Sequence, residues 1–76
     1  MNLSELKIGE RAVITALNTG DGLRRRLQEL GFIVGNRVTC VMRSSLKDPA
    51  AYRICGAVIA IRDCDAQTIS VERCDL

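Results

Sequence analysis

The sequence predicts one mainly β domain, a small and partly open barrel of about five strands with one short inserted helix. The 76 residues suffice for one domain and are too few for two, because chains divide at about 100 to 200 residues per domain. Short apolar or alternating runs separated by turn-forming residues indicate strands, and only one longer segment has helical periodicity. Without long crossover helices these strands cannot form a large parallel sheet, which leaves the small barrel.

The first predicted elements lie before the helix. Leu3 and Leu6 are spaced for one helical turn, and residues 7–10 read as a bend. Residues 12–17, which are apolar except for Thr15, form the first predicted strand. Residues 18–22 are turn formers, which separate this strand from the helix.

The helix is predicted over residues 22–30, with Asp21 as its N-cap. Its apolar residues recur at i, i+4 and i+7, so they share one face. They are Leu23, Leu27 and Leu30. Gly31 is expected to supply the left-handed residue that ends the helix.

The remaining strands follow a turn at residues 34–36. Residues 38–42 alternate with period two and predict the second strand, beginning near Arg37. Pro49 places residues 44–49 in a loop. The later predicted elements are strand three over 51–55, a tight bend at Gly56, strand four over 57–62, a helical turn over 63–67 and strand five over 68–72.

Composition excludes several classes of function. The net charge of +2 is far below that of a dedicated nucleic-acid binder, so no nucleic-acid partner is expected. The chain has no His, and its aromatic residues are Phe32 and Tyr52. A nucleophile without a positioned base does not make an active site, so we expect no enzyme and no catalytic residue.

The four cysteines predict neither a metal site nor a cofactor. They include no Cys-x-x-Cys pair, and no His completes a zinc set. We expect reduced thiols, with Cys40 and Cys55 as small strand hydrophobes, Cys64 in a turn and Cys74 near the chain end. The start lacks the features of a secretory signal, and no apolar run exceeds five residues, so a cytoplasmic protein is expected.

Several motifs occur in a distinctive order along the chain. They are residues 23–32 (LRRRLQELGF), Gly35, Asp48-Pro49, Tyr52, residues 59–62 (IAIR) and Asp65-Ala66. From about residue 3 to residue 72 the chain resembles the ferrous iron transport protein A family, FeoA. The sequence departs from the family pattern at Val34, where Pro is usual, and at Lys47, where a small turn residue is common.

The resemblance implies a single FeoA-like domain over residues 1–76, with an SH3-like β-barrel of about five strands and an inserted helix. It also implies a cytoplasmic accessory to FeoB, the GTP-binding membrane transporter for Fe(II). The same domain type forms the C-terminal module of diphtheria-toxin-type metal-dependent repressors.

Two hypotheses for the function therefore remain. One is an adaptor that binds the cytosolic G-protein region of a FeoB-type transporter and supports or regulates it. The other is a metal-sensing or regulatory module, for which Asp63, Cys64 and Asp65 form the only cluster in the sequence. We expect the two carboxylates to cap and solvate their turn, and the absence of a helix-turn-helix favours the adaptor. Two aromatic residues are too few for a proline-binding groove.

The candidate partner contacts lie on and just after the helix. Arg24 and Arg25 point away from the leucine face, whereas Arg26 lies nearest to it. The candidate set is Arg24, Arg25, Leu30, Gly31, Phe32 and Ile33. The arginines could meet an acidic protein surface or anionic headgroups at the membrane periphery, or form a solvated face. The apolar corner at 30–33 could equally cap the core, and so small a domain could form a weak homo-oligomer.

Overall fold

The computed structural model describes residues 1–44 and 48–74, and these form one antiparallel sheet with the strand order β4-β3-β2-β1-β5. The elements are an N-terminal 3-10 turn (Leu3–Glu5), β1 (Arg11–Leu17), α1 (Asp21–Glu29), β2 (Arg37–Arg43), β3 (Ala50–Ile54), β4 (Ala57–Ile61), α2 (Asp63–Ala66) and β5 (Ile69–Arg73). The predicted mainly β class with one inserted helix is confirmed. Lys47, one of the two departures from the family pattern, lies outside the described residues.

The start of α1 corrects one expectation. The N-cap is Gly20, which has extended backbone angles and makes no side-chain cap, so Asp21 already lies in the first turn. Its carboxylate is 3.9 Å from Arg24 Nη1. An acidic side chain in the first turn still favours the helix, because it faces the positive end of the helix dipole.

Two irregularities in register bend the sheet around the core. One lies between Ile14 and Ala16 in the pairing of β1 with β5, and the other lies between Cys40 and Met42 in the pairing of β2 with β3. Such bulges add twist and let a sheet curl. The curled sheet packs its inner side chains into one buried cluster.

The core is closed by residues from outside the sheet. Leu3 and Leu6 are fully buried at the N-terminus, and Leu27 and Phe32 are buried from the helical side. The remaining buried residues are Ala12, Ile14, Val38, Cys40, Ala50, Tyr52, Ile54, Ile61, Ala66, Ile69 and Val71.

The β3–β4 connection corrects the predicted role of Cys55. Strand β3 ends at Ile54, and Ile54 pairs with Ala57 across a two-residue turn. Cys55 has φ 50° and Gly56 has φ 79°, the sign pattern of a type I′ turn, whose twist matches the flanking strands. Cys55 is therefore an exposed turn residue rather than a strand hydrophobe.

The other cysteines occupy three different environments. Cys40 is buried in β2, as the alternation predicts. Cys64 is exposed in α2, and Cys74 is half-buried just after β5. All four are free in the structure.

Replacement of Leu27 tests the packing of α1 on the sheet. Leu27 is only 4% exposed, and a buried Leu→Ala change costs about 2–5 kcal/mol. We expect Leu27→Ala to lower the free energy of unfolding by that amount in chemical denaturation. Gln28→Ala, on the exposed side of the same helix, is the control and should change it by less than about 0.5 kcal/mol. An unchanged midpoint for Leu27→Ala would show that the helix does not contribute to the core.

Ionisation of Tyr52 makes the fold sensitive to alkaline pH. Burial raises the pKa of the phenol, and the nearby Arg43 guanidinium only partly opposes this. Because the folded-state pKa lies above the unfolded value, this contribution to stability is present below about pH 10 and is lost as the pH rises through the raised pKa. Tyr52 is the only tyrosine, so alkaline titration of phenolate absorbance reports it alone. Titration at the pKa of an exposed tyrosine, before unfolding, would contradict this.

Candidate functional site

Helix α1 has a buried side and a cationic side. Leu27 lies in the core, and Leu23 is partly buried against it. Arg24 and Arg25 are exposed, as predicted. Arg24 Nη2 donates to the carbonyl oxygen of Thr19 at 3.1 Å, which holds this side chain toward the loop before the helix. The Arg25 side chain makes no hydrogen bond or ion pair with any described residue, so its charge is free to meet a partner.

The corner after α1 is a Schellman motif. The N–H of Phe32 donates to the carbonyl of Leu27 at 2.9 Å, and the N–H of Gly31 donates to the carbonyl of Gln28 at 3.1 Å. Gly31 has φ +107°, so the predicted left-handed residue is confirmed. In this motif the residue after the glycine packs back toward the last helical turn.

This geometry divides the predicted corner residues into two groups. Phe32 is fully buried, so its side chain has no surface for a partner to contact and the expectation for it is corrected. Leu30 is 42% exposed and Ile33 is 47% exposed, so both present apolar surface at the end of the helix. Gly31 contributes backbone there rather than a side chain.

The corner is fixed against the β3–β4 turn. A Cβ on Gly31 would lie 2.8 Å from Cys55 Sγ, closer than real Cβ contacts. Asn36 Nδ2 donates to the carbonyl of Gly31 at 2.8 Å and lies 3.6 Å from Cys55 Sγ. The end of α1 is therefore held directly beside the turn from which β4 begins.

A groove of about 390 Å³ runs between α1 and β4. Its helical wall is Leu23, Arg26, Leu27 and Leu30, and its other wall is Ile59, Ala60, Ile61, Arg62 and Asp65. The helical pattern predicted that Arg26 lies next to the leucine face. It did not predict that β4 faces that side of the helix. The apolar residues just before Arg62 are the only feature of the sequence that could have indicated this wall. The strand order is needed to show that they line a groove.

Most of the residues that line the groove are apolar, and two of the charged ones are arginines. Arg26 and Arg62 are exposed, and their side chains make no hydrogen bond or ion pair with the described residues. Asp65 is the one carboxylate in the lining. A cation without a partner beside apolar surface favours a ligand that carries both apolar groups and negative charge.

The structure of α2 corrects the expectation that Asp63 and Asp65 cap their own turn. Neither carboxylate caps α2, whose N-cap is Arg62 without a side-chain hydrogen bond. Asp63 Oδ2 accepts from Gln67 Nε2 at 2.7 Å, and Asp48 Oδ1 caps the turn from the β2–β3 loop by accepting from the Asp63 N–H at 2.9 Å. Within residues 1–44 and 48–74, no three His, Cys, Asp or Glu side chains cluster as a metal site would require. In the same ranges, no helix is long and apolar enough to cross a membrane.

The curled five-stranded sheet with a helix between its first two strands defines a small SH3-like domain. The family model for the FeoA domain matches residues 1–73. The chain therefore belongs to the FeoA domain family, as the resemblance in the sequence implied.

Two relatives extend this assignment. The chain is 40% identical over 72 residues to an Fe(2+) transport protein A/Fe(2+) transporter FeoB fusion protein of Porphyromonas gingivalis, covering 95% of this chain and 8% of that protein. It is 35% identical over 72 residues to a protein of Campylobacter jejuni described as a putative Fe(2+) transport protein A, covering 93% of this chain and 96% of the relative. The chain thus spans a small part of the fusion protein and nearly all of the second relative.

Solved structures share the fold. The solution structure of a FeoA protein from Chlorobium tepidum matches with a TM-score of 0.91 and 34% identity, covering 96% of this chain and 70% of that chain. The crystal structure of Stenotrophomonas maltophilia FeoA complexed with zinc, described as a procaryotic SH3 domain protein, matches with a TM-score of 0.79 and 32% identity over 95% of this chain and 89% of that one. A manganese-dependent transcriptional repressor matches with a TM-score of 0.86 over 97% of this chain and 41% of that one, but at 16% identity this shows a common fold alone.

Replacement of Gly31 tests the contact that holds the corner. Gly31→Ala should lower the free energy of unfolding by about 1–3 kcal/mol, because the left-handed backbone disfavours a side chain and the new Cβ meets Cys55. Gly22→Ala is the control, since its Cβ meets nothing within 4 Å; it should stabilise the helix by about 0.5–1 kcal/mol.

A second variant separates backbone strain from the contact. Cys55→Gly should recover part of the loss in the Gly31→Ala background, and comparison with Cys55→Gly alone isolates the coupling between the two positions. Chemical denaturation of the four proteins gives each value. A Gly31→Ala protein as stable as wild type would show that the corner is not held at this point.

Proposed function

We propose that this chain is a cytoplasmic adaptor of ferrous iron uptake that binds the cytosolic part of a FeoB-type transporter and supports or regulates it. The observation that carries the proposal is the Porphyromonas gingivalis relative, in which a similar domain and FeoB are parts of one protein. Fusion of two functions in one chain supports their cooperation when they occur on separate chains. On this proposal the chain works by binding and not by catalysis.

The exposed side of α1 is the proposed docking surface. Arg24 and Arg25 supply positive charge, and Leu30 and Ile33 supply apolar area at the end of the same helix. Arginine beside exposed aliphatic side chains suits a protein interface with a polar rim and an apolar centre. Phe32 supports this surface from beneath, because it anchors the corner in the core.

Charge reversal on α1 tests the docking surface. Arg24→Glu with Arg25→Glu should leave the fold intact, because exposed substitutions usually change stability by less than about 0.5 kcal/mol. Binding to the purified cytosolic part of FeoB should weaken about tenfold or more, because the reversed charges repel an acidic partner. Calorimetric titration at two salt concentrations measures this. The wild-type affinity should itself fall at high salt, since such contacts are screened over about 8 Å at physiological ionic strength.

The matched control reverses two cations elsewhere on the surface. Lys7→Glu with Arg37→Glu changes the net charge by the same amount, and both residues are exposed and lie outside α1 and the groove. This control should bind like wild type. Equal affinities for the α1 variant and wild type at both salt concentrations would exclude the arginines and leave Leu30 and Ile33 as the docking residues. No binding by the wild-type protein would overturn the adaptor function.

A further inference from the structure

The two edges of the sheet differ in whether the chain covers them. Strand β5 forms one edge, and the N-terminal residues lie along it: the Val71 N–H donates to the carbonyl of Met1 at 2.8 Å, and Asn2 forms a bridge with Ser70. Strand β4 forms the other edge, and none of the described residues pairs with its outer side. An uncovered edge presents a row of donors and acceptors to which another strand can pair.

The register of the β3–β4 hairpin identifies which backbone groups of β4 face outward. Ile54 and Ala57 close the two-residue turn, and such a closing pair exchanges hydrogen bonds. Bonded and non-bonded pairs then alternate along an antiparallel ladder. The backbone N–H and C=O groups of Val58 and Ala60 therefore point away from β3. Neither residue makes a backbone hydrogen bond to a described residue outside the hairpin.

The groove described above runs along this open edge. Four consecutive residues, 59–62, line it, although successive side chains of a strand point to opposite faces. A cavity that touches consecutive residues lies beside the edge and not over one face. The opposite wall is the leucine face of α1 (Leu23, Leu27 and Leu30) together with Arg26. The open edge of β4 therefore faces a helix across the groove.

Strand β4 also lacks the features that prevent pairing at an edge. It contains no charged residue and no Pro between Ala57 and Ile61, and its register with β3 is regular throughout. Protein edges are usually blocked by charges, Pro or bulges, or are covered by other chain segments. The first charge is Arg62, at the end of the strand.

We propose that the groove binds an extended segment of the partner, which adds to β4 as a further strand. The backbone of the partner segment pairs with the outward N–H and C=O groups of Val58 and Ala60. The apolar side chains of the segment pack on the leucine face of α1, and at least one of its carboxylates contacts Arg26 or Arg62. The inference rests on the proposed function, because that segment belongs to the cytosolic part of the transporter. A second copy of the chain is a poorer occupant, since it would bring another unpaired Arg26 and Arg62 to the same groove.

Proline at position 60 tests strand addition directly. Ala60→Pro removes one outward N–H and leaves the hydrogen bonds between β3 and β4 in place, and edge strands accept Pro where the N–H faces outward. We expect at least a tenfold loss of affinity for the purified cytosolic part of FeoB in calorimetric titration. Ala60→Val adds bulk at the same place in the groove and keeps the N–H, so it should lose clearly less affinity than Ala60→Pro; the difference between the two variants measures the contribution of the N–H.

Amide hydrogen exchange in the wild-type complex gives a second measurement, which does not depend on whether the Ala60→Pro variant folds. Strand addition should slow exchange at Val58 and Ala60 about tenfold or more. Partner binding without this protection, together with wild-type affinity for Ala60→Pro, would overturn strand addition and leave the adaptor function standing. No binding by wild type would overturn both. A dimer of the isolated chain in sedimentation that Ala60→Pro dissociates would assign the edge to a second copy and overturn the partner segment.

Discussion

The close approach of the Gly31 backbone to Cys55 fixes the geometry on which the candidate site depends. Only a residue without Cβ fits there, both because φ is +107° and because the space is occupied by the Cys55 side chain. Asn36 completes the contact by donating to the Gly31 carbonyl. The contact joins the end of α1 to the start of β4, so it sets the position of both walls of the groove at once.

Most of the fold could be predicted because it is encoded locally. Apolar runs and period-two alternation predicted the strands, and the spacing of Leu23, Leu27 and Leu30 predicted α1 close to its observed bounds. The turn at Cys55 could not be predicted in this way, because a cysteine at positive φ is unusual and the residue directly follows Ile54, the last residue of β3. The cap of α2 was missed for another reason: it comes from Asp48, whose contact with the Asp63 N–H is tertiary.

The candidate site was predicted in part for the same physical reason. The direction of Arg24 and Arg25 follows from helical geometry alone, so their exposure could be expected. The direction of Phe32 depends on the Schellman hydrogen bonds after the helix, which turn that side chain into the core. The wall formed by residues 59–62 required the strand order, because no local pattern shows which strand lies at an edge.

The N-terminal segment explains why the two edges differ. Arg43 Nη2 donates to the carbonyl of Ser4 at 2.8 Å and to that of Leu6, and Tyr52 donates to the carbonyl of Leu3 at 3.4 Å. These side chains hold the N-terminal turn in place, and Met1 is thereby kept along β5. Edge coverage in this domain thus depends on the half-buried Arg43 in β2 and the buried Tyr52 in β3. No described segment is held in that way along β4. The groove beside it is lined by apolar residues of α1 and β4 and by two arginines whose side chains have no partner among the described residues. The outward N–H and C=O groups of β4 can pair with another strand without breaking a hydrogen bond within the domain. The open edge is therefore where this small domain can bury more surface against a partner without rearranging its core.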